Sequence, residues 1–320
     1  MTGIGPIFRK ELADHFSSYR FIILFALIAM VSLITTYMVG ISLREELGGV
    51  AKPKFVFLML FTSTGPLFSL VQFVALFGPL IGLILGFDSI NRERSAGTLS
   101  RLASQPIYRD SIINGKFLSG VVTISIILIS ILLVVSGLGL KLIGVVPGVE
   151  EAWRIFLYLL ISIFYISFWL GISILFSILF RGIATSALAT LAIWIFFSFF
   201  VSMGASVVAN AIIPLDQSTR EDTEMLMRHI RIQRIVSLIS PMQLYNDSTA
   251  IIIDPTRKTT RSLVLMGPLE RLSSERFRRP LSLSQSIYIV IPHIISLIAI
   301  TFICFGVSYA VFMKQEIRST

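Results

Sequence analysis

The groups in this chain able to bind a metal or move a proton are 3 histidines, 1 cysteine and 18 carboxylates. His15, His229 and His293 lie far apart, and no His, Cys, Asp or Glu cluster has metal-ligand spacing. Cys304 stands alone in an apolar run, which gives neither a disulfide framework nor a thiolate metal site. His293, directly after Pro292, is the only imidazole within such a run and reads as a packing or interface residue. Ser, His and Asp are too scattered for a nucleophilic triad. No Gly-x-x-x-x-Gly-Lys-Ser/Thr run is present, so no ATP is expected to bind here through a P-loop. What remains is the charged block Gly86–Pro106, GFDSINRERSAGTLSRLASQP, with an uncharged run of membrane length on either side. Charge in that place sets orientation and meets a partner.

The elements that hold this block follow from composition. Hydrophobic residues make up 55% and charged residues 14% of 320 residues, with 25 Phe and a mean hydropathy of +0.85. Soluble domains carry about 25% charged residues, so the chain is an integral membrane protein. The net charge of +9 is what topology alone places at membrane surfaces and implies no nucleic acid. Uncharged runs at Phe21–Leu43, 67–87, Phe117–Leu140, Ile155–Phe180, Gly182–Leu215 and 287–313 are each long enough to cross about 30 Å of hydrocarbon. The second is part of a longer run, Phe55–Phe87, that Gly65-Pro66 is expected to break. Backbone groups facing lipid must pair internally, so the runs predict an all-α polytopic fold of six transmembrane helices, and no alternating barrel strands are seen. The first run starts at Phe21 with no cleavage pattern after it, so no signal peptide is expected.

An inside amino terminus places residues 1–20, 88–116, Arg181 and 314–320 in the cytoplasm with 11 Lys and Arg, against five in the two short outer loops. The third outer segment, 214–284, also carries 11, but the bias applies to short loops. Both termini are then cytoplasmic. Residues 4–20 predict an amphipathic interfacial helix, with Ile4, Phe8, Leu12, His15 and Tyr19 near one stripe and Arg9, Lys10, Glu11 and Asp14 on the remainder. In 88–116, Gly97-Thr98 reads as a turn before a short helix packed through Thr98, Leu99, Leu102 and Ala103 and ended at Gln105-Pro106. Asp110 or Ser111 is placed to cap the next helix. In 214–284, Thr219–Arg234 predicts a polar helix with Met225, Ile232 and Ile235 as apolar contacts, and Ser240-Pro241 breaks it. Arg271–Arg279 is a basic cluster suited to anionic headgroups. Gly78, Gly82 and Gly86 recur every four residues and permit close helix approach, within the bundle or between subunits. Tyr37, Tyr165, Trp169 and Trp194 are candidates to line a cavity.

Three motifs together resemble a known family: Phe8-Arg9-Lys10-Glu11-Leu12 followed by Ser17-Ser18-Tyr19-Arg20-Phe21; Gly86 to Arg94 leading through Gly97-Thr98-Leu99 to Ser104-Gln105-Pro106; and Ile113-Asn114-Gly115-Lys116-Phe117. The chain resembles permease subunits of ABC transporters of the second exporter type, most of all the NosY-like branch. The resemblance implies a single permease domain over 1–320, with Phe8, Lys10, Glu11 and Leu12 on an elbow helix. It implies a coupling helix around Glu93–Ser104, docking on a cytoplasmic ATPase through Arg92, Glu93, Arg94, Gly97, Thr98, Leu99, Arg101 and Leu102. No cofactor would sit on this chain; ATP and Mg would be bound and used by the partner, so the chain itself is not an enzyme. Further partners are a second permease copy or homologue, membrane lipid and, through 214–284, an extracytoplasmic protein, in a prokaryotic cell membrane. That segment is longer than a bare NosY-like core and leaves open a mechanical or maturation role instead of transport. A membrane-embedded enzyme is the least favoured reading, because the runs hold almost no polar groups.

Overall fold

The computed structural model describes residues 3–47, 55–62, 69–98, 108–214, 223–256 and 280–315, and among them there are helices and no strand. The helices are α1 (Ile4–Ser17), α2 (Tyr19–Leu47), α3 (Val56–Thr62), α4 (Leu70–Gly86), α5 (Asn91–Ser95), α6 (Arg109–Ile143), α7 (Val149–Leu179), α8 (Ile183–Ile195), α9 (Val201–Ile212), α10 (Thr223–Ser237), α11 (Pro241–Ile253) and α12 (Leu283–Lys314). A π-helical turn, Phe196–Phe200, joins α8 to α9. Six helical stretches are long and apolar enough to cross a membrane, starting at Tyr19, Leu70, Arg109, Val149, Ile183 and Leu283. They outrun the uncharged runs: α6 takes in Lys116, and α7 takes in Glu150, Glu151 and Arg154. A helix that satisfies its own backbone loses nothing by continuing past the apolar band. The run from Phe55 is divided, with Val56–Thr62 forming a separate buried helix before α4; Gly65-Pro66 lies outside the described residues.

The chain divides into two compact units, one of Met1–Ala192 with Ile298–Thr320 and one of Ile193–Leu297. The core of the first is α4 against α7. A Cβ at Gly82 would stand 2.6 Å from the Ile166 carbonyl oxygen and 2.8 Å from Leu170 N, and one at Gly86 would stand 2.7 Å from Ser173 Cβ. The glycine stripe is therefore filled by α7 of the same chain, where the sequence left packing and subunit contact open. At this approach a short side chain reaches the facing backbone, and Ser173 Oγ donates to Leu83 O at 2.8 Å. Pro79, inside α4, has no N–H for the carbonyl four residues back. The Tyr165 hydroxyl donates to that carbonyl, Ala75 O, at 2.7 Å. Tyr165 and Trp169 are thus fully buried in a helix contact, Tyr37 is 52% exposed, and the expected aromatic cavity is not built from them.

In the second unit α10 lies alongside α9. His229, nearly enclosed, sets Nδ1 2.8 Å from Ile213 O at the end of α9, so the Nδ1–H tautomer is the one that donates there. Ser240, between α10 and α11, donates to Phe197 O at 2.8 Å. Phe197 sits in the π turn, where the i to i+5 pattern leaves carbonyls to find other donors. The described part of the outer segment 214–284 is therefore laid in part along the fifth span, as far as its middle. Met225 and Ile235, taken as apolar contacts, are 49% and 61% exposed. The fifth helical stretch is 30 residues, about 45 Å, and so outreaches the hydrocarbon where α10 leans on it. The Arg271–Arg279 cluster lies outside the described residues.

Candidate functional site

The charged block becomes a junction of four helices. α4 ends at Gly86, and after one turn the chain enters α5. The first N–H groups of α5 have no cap of their own; Ser177 Oγ of α7 accepts from Ile90 N at 2.9 Å and Asn91 N at 3.1 Å. Orphan donors at a helix start need such an acceptor. Gly97 closes α5 with φ +66, a conformation that favours glycine, and Thr98 Oγ1 donates to Glu93 O at 3.2 Å. The sequence read Gly97-Thr98 as a turn before a short helix, which lies outside the described residues; in the structure Gly97 terminates α5. Leu99, Arg101, Leu102, Ala103, Gln105 and Pro106 lie outside the described residues. The next helix starts at Arg109 without a side-chain cap, and Asp110, already in its first turn, accepts from Ser111 N at 2.7 Å instead of capping it.

Glu93 does not face outward. It is 6% exposed, and Glu93 Oε1 accepts from Lys116 Nζ of α6 and Lys10 Nζ of α1, both at 3.1 Å. Lys116 Nζ also donates to Glu11 Oε1 of α1 at 2.8 Å, and Lys10 reaches the same oxygen at 3.1 Å. Two ammonium groups and two carboxylates thus lock α1, α5 and α6 together with no net charge. Burial raises the Glu11 carboxyl, but the Lys116 ammonium, and Lys10 behind it, outweigh this and hold it below the usual carboxylate range. Burial likewise lowers the Lys10 ammonium, and Glu11 and Glu93 more than reverse that. Gly115 makes the approach possible, since a Cβ there would lie 2.8 Å from Ile7 Cγ2 on α1.

Arg94 is also turned inward. It donates to Ile178 O of α7 at 3.4 Å and to Gln315 Oε1, just past α12, at 2.6 Å. Gln315 O in turn accepts from Arg109 at 3.2 Å. Among the described charged residues assigned to a partner surface, Arg92 is the one presented, with its side chain 55% exposed and a 3.8 Å contact to Asp88. Gly97 and Thr98 are exposed beside it. On α1, Phe8 and Leu12 are half-buried and Lys10 is exposed, while Ile7 and Glu11 are the buried pair. Assigning Glu11 to the polar remainder of α1 was wrong. Ile4, Ile7 and Glu11 stand at i, i+3 and i+7, so a carboxylate on that stripe was a visible sign of a buried partner. Lys116, one of the basic residues of the 88–116 block, is that partner; Ser177 and Gln315 carried no signal.

A second polar group forms within the Ile193–Leu297 unit. Asp247 of α11 accepts from Gln243 at 2.9 Å, Arg234 lies at 3.4 Å, and His293 Nε2 is 3.7 Å from Asp247 Oδ2. His293, read as a lone packing residue, has a carboxylate neighbour that sequence distance concealed.

The profile of the ABC-2 family transporter proteins matches residues 6–317. The probable ABC transporter permease protein NosY of Pseudomonas aeruginosa is similar: 31% identical over 152 residues, 48% of this chain and 50% of that protein. The chain thus spans about half the length of the curated relative it matches.

Proposed function

We propose, from the premise that this chain belongs to the ABC-2 family of transporter proteins, that it is the transmembrane permease of an ATP-driven exporter. The face carrying α1 and α5 is cytoplasmic. A separate ATPase subunit docks there, binds ATP and Mg, and supplies the stroke; a second permease copy or homologue completes the path. Arg92, Gly97 and Thr98, with Leu99, Arg101 and Leu102 beyond them, meet the ATPase. Apolar residues give such a contact its area, and charge gives it register.

The observation that carries this reading is the buried Lys116–Glu93–Glu11 junction. A push on the segment after α5 reaches α6 and α1 through the buried Lys116 ammonium, backed by Lys10, that Glu93 shares with Glu11. Glu93 is therefore a positioning residue that transmits motion. The test is co-purification with the ATPase and hydrolysis in lipid nanodiscs. Leu99→Ala is expected to weaken the complex, and Glu93→Gln to keep the complex and lose transport-linked hydrolysis. Normal transport by both variants at wild-type expression sinks the assignment.

A mechanical or maturation role on an extracytoplasmic partner is the second reading, favoured by α10 lying along α9 and α11 meeting the Phe196–Phe200 turn. Site-specific crosslinking from Arg228 or Arg231, both exposed on α10, distinguishes it by capturing one defined outer protein in intact cells.

A further inference from the structure

A cavity of about 450 Å³ opens between α1, the start of α2 and the joint from α4 to α5. Its walls divide by chemistry. Phe21, Ile84 and Leu85 form an apolar side, and all three lie within the membrane-spanning helices. Much of the remaining lining is ionic. Arg20 and Arg92 flank Asp88, at 3.0 and 3.8 Å, and Asp14 stands on the α1 wall. The Arg20 and Arg92 side chains are 61% and 55% exposed and Asp14 is 44% exposed, so all three have donor or acceptor capacity left for a ligand. The Ser89 hydroxyl, also in the wall, has no hydrogen-bond partner among the described residues. His15 lines the site as well; burial holds its imidazole below the ordinary value, so it adds no charge near neutral pH.

The cavity lies where α2 enters and α4 leaves the apolar band. Ile22 and Ile23, which follow the lining residue Phe21 on α2, are 50% and 66% exposed. A ligand seated here meets guanidinium and carboxylate at one end and hydrocarbon at the other. We propose that this cavity holds one phospholipid with a zwitterionic, primary-ammonium headgroup. The phosphate lies on Arg20, where a planar donor fork suits it, and the ammonium lies against Asp14 and Asp88, which leaves Arg92 to the ATPase face. The acyl chains leave along Phe21 and Ile22. A choline headgroup cannot donate to the carboxylates, and an anionic glycerol headgroup brings no cation for them, so phosphoethanolamine is the chemistry selected. The site does not depend on the transport reading, only on the spanning helices.

The test uses the full chain, stripped of lipid in detergent. It is titrated with dihexanoyl phosphatidylethanolamine, phosphatidylcholine and phosphatidylglycerol, and with chain-free glycerophosphoethanolamine, and read by native mass spectrometry. The expected result is one ethanolamine lipid per chain, bound about ten-fold more tightly than the other lipids, the size of one charge-assisted hydrogen bond. Asp14→Asn removes the preference, while Arg20→Gln weakens all three lipids together, because each carries the phosphate, and Arg20→Lys retains part of that binding. If Arg20→Gln fails to fold, Asp14→Asn decides, because its only ion pair among the described residues is a 3.5 Å contact to Lys10 on the same helix. Equal binding of the ethanolamine and glycerol lipids overturns the proposal, as does a preference untouched by Asp14→Asn. Binding of the chain-free headgroup as tightly as the lipid also overturns it, in favour of a soluble phosphoamine.

Discussion

Replacing Lys116 by Met removes the ammonium shared by Glu11 and Glu93, while Lys10 keeps its own 3.1 Å contacts to both carboxylates. The distances made by the two lysines are nearly the same; their surroundings are not. The Lys116 side chain is 3% exposed, against 50% for Lys10. Breaking a buried pair leaves uncompensated charge in a low dielectric and costs about 3–5 kcal/mol. An exposed pair is screened by water and is worth about 0–1 kcal/mol. Lys116→Met is therefore expected to cost several-fold more than Lys10→Met. Removing all three buried charges, as Lys116→Met with Glu11→Leu and Glu93→Leu, should recover much of that loss. The assay is equilibrium unfolding in mixed micelles, followed by tryptophan fluorescence from Trp153, Trp169 and Trp194. Equal costs for the two lysines would refute the argument, because distance rather than burial would then set the energy. A triple variant no more stable than Lys116→Met alone would refute it from the other side.

Tyr165→Phe is expected to cost about 1–3 kcal/mol by leaving Ala75 O unsatisfied, and much less in a Pro79→Ala background, where residue 79 supplies the missing N–H; a double-mutant cycle on unfolding reads the difference. Gly82→Ala must push α4 off the α7 backbone and should lower the unfolding midpoint at a cost of about 1–3 kcal/mol. Gly137→Ala, with nothing within 4 Å of the added Cβ, should leave it unchanged or raised. Because the Glu11 carboxyl is held below its ordinary 4.5 in the folded chain, its contribution is present above pH 4.5 and is lost as pH falls through the lower folded value. An acid titration of stability should show that loss in the wild type and a smaller one in Glu11→Gln.

The membrane class and six helical stretches were legible in the sequence because hydrocarbon imposes a one-dimensional rule. A segment that crosses it must be apolar for about 20 residues and must pair its own backbone. The helix break at Ser240-Pro241 was legible for a local reason too, since proline cannot continue the preceding helix. The α4 glycine stripe announced a close contact but not its partner, since Ile166, Leu170 and Ser173 are remote in sequence.

Charge was where the reading from sequence failed. In a membrane-surface block every Arg and Glu looks like a solvated anchor or a docking contact, so Glu93 and Arg94 were assigned outward. Which way a charged side chain turns depends on what lies beside it after folding, and Lys116, Glu11 and Gln315 come from three other parts of the chain. The same holds for His293, which acquires Asp247 as a neighbour only once α11 is placed. The sequence by itself thus determined the solvent in which this protein lives, the helices that solvent demands, and a family resemblance. Tertiary structure alone decided which charges are buried together, because ion pairing is a contact of a few ångströms between residues that no local periodicity links.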